Sequence, residues 1–162
     1  MKTPTPKKRC GHTDIDEALR LEYQVSFAFY VCAKELIKRY KPLLQPLGLT
    51  YTGYLAMLVL WERDNITVTE MGENLFLDSG TLTPLLKKLE KSGLISRSRF
   101  AGDEREVRIR LTSDGKKLKR KATHIPGTIC SELQVIAEYG DDMLAHLSTL
   151  MAHFRRNPPK SD

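Results

Sequence analysis

The chain has 162 residues, of which 41% are hydrophobic and 28% are charged. This length is enough for one domain with flanking helices and excludes two large domains, and no apolar run approaches the roughly 18 residues that a membrane span needs. The net charge of +6 is concentrated, because residues 79–121 hold thirteen Lys or Arg against five acidic residues. Such a concentration is typical of a protein that binds a polyanion, with a solvated basic surface as the alternative.

Residues 1–13 are basic and lack the apolar segment of a secretory signal, so we expect a disordered tail on a soluble, cytoplasmic protein without a membrane partner. The three cysteines, Cys10, Cys32 and Cys130, are too few and too scattered for a disulfide framework. Cys10 and His12 could begin a metal site, but two ligands in a tail are too few to complete one. We therefore expect free thiols, no metal and no cofactor.

The N-terminal segment, residues 14–47, is expected to form one long helix. Apolar residues recur at every third or fourth position from about Ile15 to Leu44. The helix is expected to break at Lys41-Pro42 and again at residues 45–48, because proline and glycine interrupt helices. The apolar stretch 54–61 then predicts a core helix, and Asp64-Asn65 predicts a turn.

Two short helices follow in close succession. Thr67 and Glu70 have the spacing of a capping box, in which the two side chains satisfy free backbone NH groups at the start of a helix. After residue 77, apolar residues at helical spacing predict a second helix with a narrow buried stripe, formed by Leu82, Leu85, Leu86 and Leu89. Two short helices joined so tightly predict a helix-turn-helix.

The second helix of this pair carries small and basic residues away from its leucine stripe. These residues are Ser79, Gly80, Thr81, Thr83, Pro84, Lys87, Lys88 and Lys91. Hydroxyls and free NH groups near a helix N-terminus can reach phosphates or base edges, and the lysines can neutralise neighbouring phosphates. Pro84 is expected in the first turn, where its missing NH matters least and its ring can contact a thymine methyl. The alternative is an ordinary surface helix with solubilising lysines.

Alternating residue types after Gly93 predict a β-hairpin with a charged outer face. Strands are expected at residues 94–100 and 107–111, with residues 101–104 as the turn. Arg105 near the tip could enter a narrow minor groove, where the negative potential is strongest, and Asp103 could orient its guanidinium. A local salt bridge within the turn is the alternative. Residues 48–112 thus form a predicted DNA-binding domain, called the head below.

Residues 113–156 are expected to form C-terminal helices, followed by a tail at residues 157–162. Thr112 or Ser113 is expected to cap a basic helix that Pro126-Gly127 interrupts. A last helix is expected to begin near Asp141 and carries one apolar stripe, formed by Met143, Leu147, Leu150, Met151 and Phe154. The stripe exceeds what the head can cover, which predicts a homodimer built from the two ends of the chain.

The order of these elements resembles the winged helix-turn-helix of MarR-type transcription regulators. The segment that resembles this family is TVTEMGENLFLDSGTLTPLLKKLEKSGLISRSRFAGDEREVRIRLT. An earlier segment, YKPLLQPLGLTYTGYLAMLVLWE, resembles the organic hydroperoxide resistance repressor branch of the same family. It implies a mainly α fold with a small β-hairpin wing and an intertwined homodimer. It also implies a pseudo-palindromic operator, with the recognition helix in the major groove and the wing arginine in the minor groove. Organic hydroperoxide would be the effector of this bacterial, cytoplasmic and nucleoid-associated repressor.

The sensor position implied by the resemblance carries a serine. Members of this branch have a peroxide-reactive cysteine in the N-terminal helix, hydrogen-bonded by two tyrosines, and some keep a resolving thiol where this chain has Cys130. Here the corresponding residues are Ser26, Tyr30 and Tyr40. A serine hydroxyl forms no nucleophilic anion at physiological pH and no sulfenic acid, so Ser26 cannot react with peroxide.

Three explanations of Ser26 stay open. In the first, Ser26 is an engineered replacement that traps the reduced state. In the second, it is a natural residue in a relative that has lost or moved its sensor. In the third, another thiol of the chain serves as the sensor. The retained Cys130 favours the first, and Tyr23, where the branch more often has asparagine, favours the second. Cys32 lies about 120° around the helix from Ser26 and is expected to be a small buried residue instead.

Other functions compete with a peroxide-responsive repressor. An enzyme is disfavoured, because the sequence shows no phosphate loop, no cluster of metal ligands and no nucleophile–base pair. A repressor of the same fold could instead be released by a small lipophilic or aromatic ligand in the dimer cleft. A nonspecific architectural DNA-binding protein is the third alternative, which footprinting would identify by the absence of a protected inverted repeat.

Overall fold

The computed structural model describes residues 19–100 and 103–158. Within them lie seven α-helices and three strands, in the order α1 (Val25–Leu44), α2 (Tyr51–Glu62), β1 (Ile66–Thr67), α3 (Val68–Leu75), α4 (Ser79–Lys91), β2 (Ile95–Phe100), β3 (Asp103–Leu111), α5 (Ser113–Ala122), α6 (Ile125–Glu132) and α7 (Gln134–Arg156). Short 3-10 turns cover Leu21–Tyr23 and Gln45–Leu47. The predicted fold class, mainly α with a small antiparallel sheet, is confirmed.

The core of the molecule forms around α2. Thr50 caps this helix by accepting a hydrogen bond from the Gly53 amide at 3.2 Å. The apolar sequence of α2 leaves it nearly without a polar face, so it is packed on several sides. The buried core residues come from α2, from the leucine stripe of α4, from the strands and from the C-terminal helices: Tyr54, Met57, Leu60, Leu82, Leu86, Leu89, Ile95, Ile109, Leu118 and Ile125.

The helix-turn-helix consists of α3 and α4. The predicted capping box is present at the start of α3, where the Glu70 amide donates to Thr67 Oγ1 at 3.0 Å and the Thr67 amide donates to Glu70 Oε2 at 2.8 Å. Helix α3 ends at Phe76, which has a left-handed backbone with φ 54°. Asp78 then caps α4 through the Thr81 amide at 2.9 Å. Only one residue, Leu77, separates the two caps.

The sheet has three strands in the order β1-β3-β2, all antiparallel. The hairpin of β2 and β3 was predicted, but β1 was not, since two residues are too short for a visible alternation. Ile66 of β1 pairs with Ile109 of β3, which is fully buried, whereas the neighbouring Arg110 is exposed. The charged outer face predicted for β3 is therefore present.

The N-terminal helix differs from its prediction at its start and at Pro42, whereas its end at Leu44 and the predicted break at residues 45–48 are confirmed. Helix α1 begins at Val25 and not near Ile15, because Gln24 has an extended backbone. The predicted break at Lys41-Pro42 was wrong, since Pro42 lies inside α1 and the helix continues to Leu44. A proline removes one NH from the ladder and can be tolerated near a helix end. The chain turns instead at Gly48, whose φ of 68° suits glycine.

Two boundaries in the C-terminal part were also misplaced. The break after α5 falls at Thr123-His124, and Pro126 lies in the first turn of α6, where no intrahelical NH is needed. Helix α7 begins at Gln134 and not near Asp141, and it has no buried residue. The predicted tail 1–13 lies outside the described residues, as does the last part of the tail 157–162, residues 159–162.

In the described ranges 19–100 and 103–158, no helix taken singly has both the length and the apolar character to cross a membrane. One pair does so by length and composition when joined across a 70° bend, namely Val25–Leu47 with Tyr51–Glu62. The second member of this pair contains α2, the central helix of the core.

Candidate nucleic-acid interface and sensor helix

Helix α4 separates an apolar face from a polar face. Leu82, Leu86 and Leu89 are buried, and Leu85 is half-buried. The residues proposed from the sequence to contact a polyanion are all exposed on the remaining surface: Ser79, Gly80, Thr81, Thr83, Pro84, Lys87, Lys88 and Lys91. The helix therefore presents hydroxyl groups near its start and three lysines in its second half.

The start of α4 already holds a carboxylate. Asp78 Oδ1 accepts from the Thr81 amide at 2.9 Å, and Asp78 Oδ2 accepts from the Thr81 hydroxyl at 3.0 Å. These hydrogen bonds hold the pKa of the Asp78 carboxyl below its ordinary value of 3.8, so the group is ionised at neutral pH. The Thr81 amide is thus not free for a phosphate. The expectation that the helix N-terminus itself would hold an anion was wrong for this donor.

Pro84 occupies a different place from the one predicted. It is the sixth residue of α4 and lies in the second turn, not in the first. A proline there lacks the NH that would bond to the carbonyl four residues earlier, which is that of Gly80. The first turn extends further towards the N-terminus than the sequence suggested, because Asp78 and not a later residue is the cap. The proline ring remains exposed on the polar face.

An ion pair joins α4 to the wing strand β2. Arg97 Nη2 and Nε donate to Glu90 Oε2 at 2.5 and 2.9 Å, and the Arg97 amide donates to Glu90 Oε1 at 3.2 Å. Arg97 lowers the pKa of the Glu90 carboxyl, first through these side-chain hydrogen bonds. This pair was not predicted from the sequence. Its signal was an acid on the flank of the leucine stripe and a basic residue seven positions later, too far apart for a pair within one helix.

The far end of the wing is described by its backbone. Asp103 and Arg105 belong to β3, and Asp103 pairs with Phe100 of β2. The prediction that residues 103 and 104 form the turn was therefore wrong, because the strand extends through them. Residues 101 and 102 and the side chains of Asp103 and Arg105 lie outside the described part of the structure. The expected ion pair between them stays a prediction.

The base of the wing is fixed to the turn before β1. The Leu111 amide donates to Asp64 Oδ1 at 2.8 Å, and Arg110 Nε donates to Asn65 Oδ1 at 2.7 Å. Asn65 itself has a positive φ of 61°, which asparagine tolerates better than most residues. These contacts orient β3 relative to α2, so the wing is braced on both sides.

Two of the proposed sensor residues, Ser26 and Tyr40, lie far apart within one chain. Ser26 is the second residue of α1 and is exposed, and Tyr30, one turn later, is 61% exposed. Tyr40 is near the other end of the same helix, about 21 Å along its axis from Ser26 at the usual helical rise. Cys32 is exposed and not buried, contrary to its prediction, because none of the residues in 19–100 and 103–158 covers that face of α1. A single copy therefore does not bring Ser26 to Tyr40.

Tyr40 belongs to an aromatic cluster at the junction of α1 and α2. Its ring centre lies 5.0 Å from that of Tyr51 and 5.9 Å from that of Tyr54. Burial raises the pKa of all three hydroxyls, and Cys130 adds to the rise at Tyr40, so they remain protonated donors at neutral pH. Tyr40 was predicted from the sequence as a sensor residue, whereas Tyr51 and Tyr54 were not. Their signal in the sequence was the spacing of the two tyrosines, which are three residues apart in the first turn after the cap Thr50 and so lie on one side of the helix.

Large apolar side chains remain exposed on the two terminal helices. On α1 these are Val25, Phe27, Phe29, Tyr30 and Val31, and on α7 they are Val135, Tyr139, Met143, Leu144, Leu147, Met151 and Phe154. Cys32 and Cys130 are free thiols at the surface. Among the residues that the structure describes, no group of three or more His, Cys, Asp or Glu is placed to hold a metal ion.

Comparison with known proteins identifies relatives of one kind. A family model described as "Transcriptional regulator SarA/Rot" matches residues 38–122. The chain is 52% identical over 125 residues to the organic hydroperoxide resistance transcriptional regulator of Bacillus subtilis. The aligned region covers 77% of this chain and 83% of that protein. The fold of this chain is similar to that of reduced AbfR bound to DNA, with a TM-score of 0.66 and 35% identity. The match covers 81% of this chain and 97% of the AbfR chain. The fold is also similar to that of disulfide-formed AbfR, with a TM-score of 0.58, 32% identity and coverage of 83% and 96%. AbfR is a protein of Staphylococcus epidermidis.

Proposed function

The chain belongs to the MarR-type transcription regulators, in the branch of the organic hydroperoxide resistance regulator, and from this membership we propose that it is a dimeric repressor that binds an inverted-repeat operator. In this proposal residues 48–112 contact DNA, and residues 14–47 and 113–156 hold the two copies together. The protein acts in the bacterial cytoplasm, where its operator is found. Position 26 is the sensing position, and it holds a serine.

The observation that carries the proposal is the polar face of α4 beside the braced wing. Lys87, Lys88 and Lys91 lie on the exposed side of a helix whose other side is buried in the core. Long cationic side chains in this arrangement can neutralise several neighbouring phosphates, while Thr83 and Pro84 can reach base edges. Because Glu90 holds Arg97, the wing keeps a constant angle to this helix. The two elements can then contact adjacent grooves together.

The wing supplies the second contact in this proposal. Arg105 extends the positive charge of the head beyond α4, and a narrow minor groove concentrates negative potential. In this proposal the carboxylate of Asp103, two residues earlier in the sequence, would orient the guanidinium, as the sequence predicts.

A test of the wing is the variant Arg105→Ala, which we expect to weaken operator binding about tenfold, a loss in the range of one good groove contact. Lys121→Ala serves as the control for net charge, since it removes one positive charge from an exposed position of α5, outside the head. Fluorescence anisotropy with labelled operator measures both. Equal affinity of the Arg105→Ala variant and the unchanged protein removes the wing from the proposal.

The exposed apolar faces of α1 and α7 support the dimer. Helix α7 is 23 residues long and has no buried residue in a single chain, although one side of it is apolar. A face of this size in contact with water is unfavourable, and a second copy with the same face can cover it. Dimerisation would also set the distance between two α4 helices, which must match grooves about 34 Å apart.

A second copy also supplies the groups that one chain keeps apart. In the proposed dimer, Ser26 of one protomer lies within reach of the tyrosine cluster of the other, formed by Tyr40, Tyr51 and Tyr54. Tyr30 contributes from the same helix as Ser26. The protonated hydroxyls of these tyrosines can donate hydrogen bonds to an anion at position 26. A serine provides no such anion, so the chain as it stands holds the DNA-binding state when peroxide is present.

The proposed sensing chemistry applies to a Ser26→Cys variant. The thiolate attacks the terminal oxygen of an organic hydroperoxide, the O–O bond breaks, and the alcohol leaves while the sulfur becomes a sulfenic acid. The thiol of Cys130 from the other protomer then attacks this sulfur, and water leaves as the disulfide forms. The new bond draws α1 and α6 of different chains together. The distance between the two α4 helices changes, and operator affinity falls.

Operator binding with and without an organic hydroperoxide tests this scheme. The Ser26 protein should remain bound after treatment, whereas the Ser26→Cys variant should be released. The combined variant Ser26→Cys, Cys130→Ser is the control, because it can form the sulfenic acid but not the disulfide. Release of the Ser26 protein itself would place sensing at another thiol. Release of the control as readily as the single variant would remove the disulfide step.

A further inference from the structure

The end of the C-terminal helix contacts the turn of the helix-turn-helix. Arg155, in the last turn of α7, places its Cζ atom 4.6 Å from the centre of the Phe76 ring. The same guanidinium donates through Nη2 to the carbonyl oxygen of Glu73 at 3.3 Å. Ser148, Met151 and Ala152 line the cleft between this part of α7 and the Phe76 side chain. One side chain thus joins two elements that are 82 positions apart in the chain.

The turn offers Arg155 two favourable partners for physical reasons. Glu73 is in the last turn of α3, where carbonyl groups lack intrahelical donors and the helix dipole is negative. Phe76 ends that helix in a left-handed conformation, which turns its ring outward and leaves it 44% exposed. A cation above an aromatic face is attracted to its negative potential. The guanidinium satisfies both partners simultaneously.

The position of this contact relates it to DNA recognition. Asp78, the cap of α4, follows Phe76 by two residues, so a displacement of Phe76 moves the start of α4. We propose that Arg155 is a positioning residue that holds the head at a constant angle to α7 and thereby sets the distance between the two α4 helices of the dimer. This inference rests on the proposed function, because it concerns a dimer that contacts two half-sites.

The neighbouring Arg156 provides a matched control. Its Nε donates to the carbonyl oxygen of Ala152, four residues earlier in α7 itself, at 3.3 Å. Arg156 also lines the cleft beside Phe76, but the hydrogen bond to Glu73 and the contact with the Phe76 ring are made by Arg155. Arg155→Ala and Arg156→Ala therefore remove the same charge from the same helical turn, and the first removes these two contacts. Any effect of net charge on DNA affinity should be equal in the two variants.

The experiment measures binding to inverted repeats whose half-sites are separated by the best spacing and by one or two additional base pairs. We expect Arg155→Ala to lose about fivefold in affinity at the best spacing, the range of an exposed cation–π contact with a hydrogen bond. It should also discriminate less between spacings, because its heads move more freely. Arg156→Ala should match the unchanged protein in both respects. The double variant Phe76→Leu, Arg155→Ala should behave like Arg155→Ala alone, because the two substitutions remove the same contact between the Arg155 guanidinium and the Phe76 ring.

A second measurement needs no DNA. A spin label at Ser96→Cys, with the three native cysteines changed to serine, reports the distance between the two heads of the dimer. The distance distribution should be broader for Arg155→Ala than for Arg156→Ala. Equal widths, or equal spacing preferences, would overturn the role of Arg155. If the wild-type protein binds operator and unrelated DNA equally, while the distance distributions of Arg155→Ala and Arg156→Ala still differ in width, the proposed function is overturned and the role of Arg155 is not. A monomeric protein would overturn both.

Discussion

The head and the helix α7 differ in how the chain covers their apolar surfaces. Met57, Met71 and Ile109 in the head are completely buried, whereas Leu147, Met151 and Phe154 on α7 are 39–55% exposed. Both regions have the same kind of amphipathic pattern in the sequence. The difference teaches that such a pattern states which face needs to be covered, but not which part of the protein, or which copy, covers it.

The two regions should therefore respond differently to the same substitution. The head closes its own core through contacts between α2, α3, α4 and the sheet, so its stability belongs to the single chain. Helix α7 contacts α6 at one end and the helix-turn-helix turn at the other. An isolated helix is marginal in water, so α7 is expected to depend on a second copy. The following predictions test this comparison, from the largest expected effect to the smallest.

Leu147→Glu should abolish dimerisation and reduce operator affinity at least about 100-fold, because a charge would be buried without a partner in the proposed interface. Sedimentation velocity and anisotropy measure the two effects. Thr149→Glu is the control, since residue 149 lies about 200° around the helix from residue 147. A Leu147→Glu protein that remains dimeric would place the interface elsewhere.

Met57→Ala should lower the free energy of unfolding by about 2–5 kcal/mol at every protein concentration, because it leaves a cavity inside the head. Met143→Ala makes the same chemical change on α7, where the side chain is 38% exposed in one chain. Its effect should depend on protein concentration, as for a contact between copies. Denaturation followed by fluorescence of Trp61, the one tryptophan, measures both. The same concentration dependence for both variants would contradict the comparison.

Thr67→Ala should destabilise the head by about 1 kcal/mol, because it removes the acceptor for the Glu70 amide at the start of α3. Thr69 lies two residues later, is exposed and is not the cap of α3. Thr69→Ala should therefore change the free energy of unfolding little. Chemical denaturation measures the difference. Dimerisation should be unaffected in both variants, since the cap belongs to the head.

Glu90→Gln should have the smallest effect, seen as a change in the pH dependence of stability. The pKa of Glu90 is lowered in the folded protein, so its contribution is present above its ordinary value of 4.5 and is lost as pH falls through the lower folded value. The unchanged protein should therefore lose more stability between about pH 5 and about pH 3 than Glu90→Gln does. Denaturation midpoints across that range measure this, and parallel curves would show that the ion pair with Arg97 contributes nothing.

Much of the fold could be predicted from local patterns. The capping box of Thr67 and Glu70, the leucine stripe of α4 and the alternation in β3 each depend on residues within about eight positions of one another, so their periodicity is visible. The misplaced boundaries at Pro42 and Pro126 have a common cause. A proline near either end of a helix is tolerated when the surrounding chain holds the helix, and local sequence does not show that support.

The proposed site divides in the same way. The exposed residues of α4 could be named from the sequence, because the buried leucines define the opposite face. The Glu90–Arg97 pair, the Tyr40–Tyr51–Tyr54 cluster and the Arg155–Phe76 contact could not, since each joins residues of different elements. Asp78 was also missed as the cap of α4, and its carboxylate changes what the helix start can bind.

The sequence by itself determined which faces are apolar, where most helices begin, and that the head is basic and position 26 lacks a thiol. These properties follow from periodicity, capping and side-chain chemistry, which act over a few residues. Only the tertiary structure decided which distant side chains meet, which apolar faces the chain covers, and which it leaves exposed. Those outcomes depend on the packing of whole elements, whose relative positions are set by the sum of many contacts across the chain.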